Sequence, residues 1–209
     1  MSQERAVAML KVMADMQESH NVHVHPDWRT NGYEYYRAIW VECAEMLDHF
    51  GWKWWKKQAP DLDQVKLELV DIWHFALSEM LRADELDDGV AQQLSSVALA
   101  DEPQAETFRL AIEALAQSSL ATRSFELAPF LQAMQSLPMD YEELYSMYIG
   151  KNVLNNFRQA NGYKDGTYKK LWMGREDNEH LVELLDELGA QENLPEVLYQ
   201  ALQARYAQA

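Results

Sequence analysis

Apolar residues recur at helical spacing along most of the chain. Ala6, Met9, Leu10, Met13 and Met16 form a first stripe and predict a helix over Ala6–His20, with Gln17 and Asn21 standing where the stripe ends. Asn21–Asn31, which holds His23, His25 and Pro26, reads as a loop. Ile39, Cys43, Met46 and Phe50 mark a second helix over Tyr33–His49 that stops before Gly51. After a loop ending at Pro60, Asp61 or Asp63 caps a third helix that runs to Leu81 on Val65, Leu69 and Ala76. Residues 82–138 read as shorter helices punctuated by Gly89, Pro103 and Pro129, a helical insertion or cap with no chemistry of its own. A fourth long helix covers Asp140–Ala160, then Gly162–Arg175 forms a loop. Glu176-Asp177-Asn178 caps a helix over Leu181–Leu188, and Leu194–Tyr206 supplies the last, with Pro195 in its first turn. With only 8 Gly and 6 Pro to interrupt it, the chain is expected to be all-α, a single domain over residues 1–209.

Polar residues break this pattern in two places. Glu42 and Glu45 lie one turn apart on the second helix, and Glu68 and Asp71 on the third. Both pairs sit beside the apolar stripe, whereas solvated acidic pairs normally lie opposite it. If the two helices fold back on each other, four carboxylates converge. Like charges about 4 Å apart cost on the order of 4 kcal/mol per pair at an effective dielectric near 20, so such a cluster calls for cations. Oxygen-only ligation favours a hard ion, Mg²⁺ or Mn²⁺. The second break is on the fourth helix, where a face that begins with Leu144, Met147 and Tyr148 continues as Lys151, Asn155 and Arg158. That change from apolar to basic reads as the floor of an anion pocket.

Charge sharpens the picture. A formal charge of −16 argues against general binding to nucleic acid or an anionic membrane. Half of the 18 Lys and Arg nevertheless fall in Gly51–Lys57 and Lys151–Arg175, which suggests a small anionic ligand. The single Cys43 leaves no internal disulfide and fits a reducing compartment. Met1–Lys11 carries Glu4 and no long apolar run, so neither a signal peptide nor a membrane span is expected, and the expected location is cytoplasmic.

Several alternatives stay open on these residues alone. Trp52, Trp54 and Trp55, interleaved with Lys53, Lys56 and Lys57, suit a packed core and ligand contact equally. His74 suits a structural role, and His20, His23 and His25 a soft metal. Asp71-x-x-His74 mimics half of a carboxylate-bridged di-iron site, which normally needs two Glu-x-x-His elements. Nucleotide-binding glycine loops, H-E-x-x-H and G-x-S-x-G are absent.

Taken together, the motifs resemble those of the dimeric all-α dUTPases, within the all-α NTP pyrophosphatase superfamily. The matching pieces are Gln17-x-x-x-Asn21, Asp27-Trp28-Arg29, Glu42-x-x-Glu45, Trp52-Lys-Trp-Trp-Lys56, Glu68-Leu-Val-Asp71-Ile-Trp-His74-Phe75 and Lys151-Asn-x-Leu-Asn155-x-Phe-Arg158, continuing to Tyr163. Gly166-x-Tyr168-x-Lys170 and Glu176-Asp-Asn178 extend the likeness, and residues 82–138 lie outside it. The resemblance implies a helical bundle of the all-α NTP pyrophosphatase type that hydrolyses dUTP by attack at the β-phosphate, with dUDP as an additional candidate substrate. In this reading Glu42, Glu45, Glu68 and Asp71 hold two or three Mg²⁺ ions, with Mn²⁺ as a substitute, and Glu45 is the general base. Lys56, Lys151, Arg158, Tyr163, Lys164 and Lys170 neutralise the phosphates. Gln17, Asn21, Trp54 and His74 surround uracil, Phe75 packs on the sugar and Asn155 holds the 3′-hydroxyl, and Asn178 is a further substrate-binding residue. The resemblance also implies a homodimer. A different base specificity on the same scaffold is the neighbouring alternative.

Overall fold

The computed structural model describes residues 1–189 and 193–208. These residues fold into nine α-helices and one two-stranded hairpin. The chain divides into two compact units, Met1–Tyr145 and Ser146–Ala209.

The first unit is built on α3, Leu62–Ala83, which Asp61 caps by accepting the Gln64 N–H. Leu67, Leu69, Val70, Ile72, Trp73 and Ala76 are all fully buried, so α3 is surrounded by its neighbours rather than lying on them. That is what an apolar run without a clear polar stripe produces. α2, Tyr35–Phe50, packs along it, and α1, Gln3–Val24, packs on both α3 and the short α4, Asp88–Ser95. α5, Ala105–Thr122, covers α2 and also meets α6, Leu127–Gln135. Trp73 stacks on Phe130 at 5.3 Å, and Phe50 meets Phe108 at 4.4 Å, so the segment 82–138 completes the core.

Two details of this unit differ from the sequence reading. α1 continues through Asn21 to Val24 instead of yielding to a loop at Asn21. The His25 N–H closes the last turn on the Asn21 carbonyl at 2.9 Å, and Pro26 then forbids continuation. Gly89 and Pro129 do not separate helices but lie in the first turns of α4 and α6, where a backbone N–H has no helical partner to lose. Asp87 accepts from both Gly89 and Val90, which fixes the start of α4.

In the second unit, α7, Tyr141–Ala160, supplies its last four turns, and α8, Asp177–Leu188, packs on α9, Leu194–Tyr206. A capping box between Glu176 and Glu179 starts α8. The region 162–175, expected as a plain loop, includes a hairpin, β1, Leu171–Trp172, paired antiparallel with β2, Arg175–Glu176. Met173 and Gly174 form its turn with φ of 51° and 82°, the left-handed pair a two-residue hairpin needs. Trp172 anchors it, fully buried against His180 at 5.3 Å with its indole N–H on the Lys169 carbonyl. Phe157, Tyr168, Trp172 and Tyr206 make up the aromatic centre of this unit.

Candidate active site

Within the first unit, α2 and α3 bring Glu42, Glu68 and Asp71 together, one ligand oxygen from each lying within 4.8 Å of the others. Glu68 is buried, and Glu42 and Asp71 are half-buried. Burial pushes the Glu42 carboxyl up to about 9, helped by the charges of Asp71, Glu68 and Glu45. Three carboxylates this close are stable only if they share protons or a cation, and oxygen donors of this hardness fit Mg²⁺ or Mn²⁺. Glu45 lies one turn on, exposed and outside the three-residue group, near enough for its charge to reach Glu42. His49 Nε2 stands 3.6 Å from Glu68 Oε1 at the rim. Cys43, between the acids and the core, has its thiol pushed up to about 12 by burial and by Glu42, so it stays a protonated packing residue.

Further along α3 a buried polar cluster begins. Gln17 and Asn21 on α1 both donate to Ser78 Oγ, at 3.0 and 2.9 Å, and Gln17 Nε2 also meets Asn21 Oδ1 at 3.0 Å. Ser78 Oγ in turn lies 3.0 Å from the His74 carbonyl oxygen. His74 is buried with Nδ1 at 2.9 Å from the Val70 carbonyl, and no metal-sized group among the described residues includes it. Phe75 lies against the Tyr35 ring at 6.3 Å. Burial raises the Tyr35 phenol, which also bonds Ser78. Arg29 holds this end of the unit, bonding Glu18 at 2.5 Å and the Leu81 carbonyl, while Trp28 lies buried with its indole N–H on Glu18.

The Trp/Lys loop is not core. Trp52, Trp54 and Trp55 are 44, 90 and 57% exposed and touch mainly one another, so packing does not explain them. The loop base is nevertheless fixed. Gln58 Oε1 accepts from the Trp52 and Lys53 N–H groups at 3.1 and 2.7 Å, and Arg109 of α5 donates twice to the Gly51 carbonyl at 3.2 and 2.7 Å. Lys53 pairs with Asp48 at 2.5 Å, whereas Lys56 lies exposed beside Trp54 in a cleft of roughly 380 Å³.

The second unit gathers two of the expected cations, Arg158 and Lys151, around one acid. Arg158 makes two 2.8 Å bonds to the fully buried Asp177 and also reaches Asn178 at 3.1 Å and Asn155 at 3.1 Å. Lys151 donates to Asn178 at 2.9 Å and Tyr168 to Asp177 at 2.7 Å. Burial alone would raise the Asp177 carboxyl, but the Arg158 bonds and charge, with Tyr168 and Lys151, hold it below its ordinary range. Tyr163 is exposed beneath the Arg158 guanidinium at 5.9 Å, Lys164 is exposed, and Lys170 pairs with Glu176 at 3.3 Å.

Ser78, Tyr35 and Arg109 were not singled out from the sequence, and Asp177 read only as part of a helix cap. Ser78 had a usable signal, since it follows Asp71 by seven residues and Phe75 by three on one helix face. Arg109 had none, being joined to Gly51 only by the fold.

A family model described as dUTPase matches residues 9–163, most of the chain, and the chain therefore belongs to the all-α dUTPase family. Membership implies dUTP diphosphatase activity. The match includes both acidic pairs and ends at Tyr163, before Lys164, Lys170 and Asn178. No curated protein matches the chain. Among the described residues no helix is long and apolar enough to cross a membrane.

Proposed function

We propose that the chain hydrolyses dUTP to dUMP and pyrophosphate with Mg²⁺ held by Glu42, Glu68 and Asp71, and that dUDP is a second substrate. The observation that carries this is the group of three carboxylates within 4.8 Å, from which α3 leads in two turns to the buried Gln17–Asn21–Ser78 cluster. One element thus serves both ends of a nucleotide. When bound, divalent ions supply charge against the phosphate oxygens and acidity to a water. Glu45, exposed beside the group and completing the expected set of four acids for two or three ions, takes the proton of the attacking water. Lys56, Lys151, Arg158, Tyr163, Lys164 and Lys170 offset the charge that builds on the departing pyrophosphate. Gln17, Asn21, Trp54 and His74 read the base. Phe75 covers the sugar and leaves a 2′-hydroxyl without a partner, Asn155 holds the 3′-hydroxyl, and Asn178 is a further substrate contact. Residues 82–138 act as an inserted support, with Arg109 fixing the Trp/Lys loop. The reading extends to a homodimer in the cytoplasm, which sedimentation and fractionation check.

Pyrophosphate release from dUTP, dCTP, dTTP and dATP in Mg²⁺ tests the assignment. Turnover of dUTP far above the others is expected. Similar rates for dUTP and dCTP would move the chain to another base specificity.

A further inference from the structure

The Ser78 hydroxyl settles which way two amides face. Its Oγ lies 3.0 Å from the His74 carbonyl oxygen, a group with no proton to give, so the hydroxyl donates there. Only lone pairs then remain on Oγ for its other neighbours, the two amides and the Tyr35 phenol, whose hydroxyl can meet them as a donor. Gln17 and Asn21 meet that oxygen at 3.0 and 2.9 Å, and a carbonyl oxygen in either place would set lone pair against lone pair. Both amides must therefore present N–H. The consequence propagates, because the second Gln17 proton goes to Asn21 Oδ1 at 3.0 Å. Gln17 can then meet a base edge only as an acceptor, while Asn21 keeps a second N–H to donate. An acceptor beside a donor fits the N3–H and neighbouring carbonyl of uracil. Cytosine reverses both positions, offering an unprotonated N3 and an amino group.

We propose that Ser78 is the positioning residue that sets base choice in this enzyme, by fixing the donor and acceptor faces that Gln17 and Asn21 turn toward the substrate. This rests on the reading above that those two amides contact the base. Without the hydroxyl, the two amides can turn over together with the bond between them reversed, and the pocket accepts either pattern. Ser78 touches no reacting atom, so its loss acts on discrimination between bases and not on the chemical step.

The test is the ratio of kcat/KM for dUTP to that for dCTP in wild type, Ser78→Ala, Ser78→Thr and Gln17→Ala, with thermal melts to establish folding. Ser78→Ala should lower the ratio about tenfold or more, and Ser78→Thr, which retains the hydroxyl, should keep most of it. If Ser78→Ala does not fold, Ser78→Cys is read in its place, its weak donor predicting the same fall. A folded Ser78→Ala with a ratio within twofold of wild type, alongside a collapsed ratio in Gln17→Ala, overturns the role of Ser78 alone. An unchanged ratio in Gln17→Ala overturns the base-contact reading beneath it, and a fall confined to Ser78→Ala overturns the route through the amides.

Discussion

Replacing Asp177 by Asn tests how the second unit holds its cations. The side chain is fully buried, accepts two 2.8 Å bonds from Arg158 and a 2.7 Å bond from Tyr168, and has the charge of Lys151 nearby. Asn fills the same volume, yet it removes the charge and points an N–H at a guanidinium or a phenol. Breaking a buried pair from one side costs about 3–5 kcal/mol; since Asn keeps one acceptor, we expect about 3 kcal/mol. For a chain of this size that lowers Tm by roughly 6–12 °C. The pH dependence follows from the depressed Asp177 carboxyl. Its stabilisation is fully present above the unfolded value of about 4 and is lost as pH falls through the lower folded value. The gap between wild type and variant should therefore be constant from pH 5 upward and close in acid. Urea unfolding followed by circular dichroism at pH 7 and at a series of lower values measures both. A cost below about 1 kcal/mol at pH 7, or a gap that widens toward acid, would refute the reasoning.

Glu45→Gln should abolish most turnover while leaving the melting temperature near wild type, because the side chain is exposed; a kcat close to wild type would exclude it as the base. Arg109→Ala frees the Gly51 carbonyl and should raise KM for dUTP severalfold with a smaller change in kcat, and Arg109→Lys should recover part of the loss. Unaltered steady-state constants in Arg109→Ala would mean that α5 does not govern the loop. Gly162→Ala should cost about 1–3 kcal/mol in chemical denaturation, since φ is +89° and an added Cβ would lie 2.1 Å from Thr167 Oγ1.

The long helices were legible because each carries its own stripe, and Asp61, Glu176 and Pro195 mark their starts in local chemistry. Glu42, Glu68 and Asp71 were legible for the same reason, as spacing along a helix aligns them, while Glu45 stays outside the group. What escaped depends on contacts between distant segments. The last turn of α1 carries too few apolar residues for a stripe, and its Asn21 is buried by a bond to Ser78, 57 residues on. The 171–176 hairpin has a Met in a left-handed turn position, which sequence gives no reason to expect, and it is held by the buried Trp172 and by Arg175, which pairs with Glu183 of α8. Arg109 and Gly51 are likewise 58 residues apart. Asp177 read as a helix cap because its position at the start of α8 conceals that its carboxylate faces Arg158.

The most direct test follows dUTP turnover through removal and return of the metal. Pyrophosphate release should stop in excess EDTA, resume when Mg²⁺ is restored, and fail to resume in Asp71→Asn, whose carboxylate belongs to the group of three. Turnover that continues undiminished in EDTA, or full recovery in Asp71→Asn, would contradict the claim that Glu42, Glu68 and Asp71 hold the ion on which hydrolysis depends.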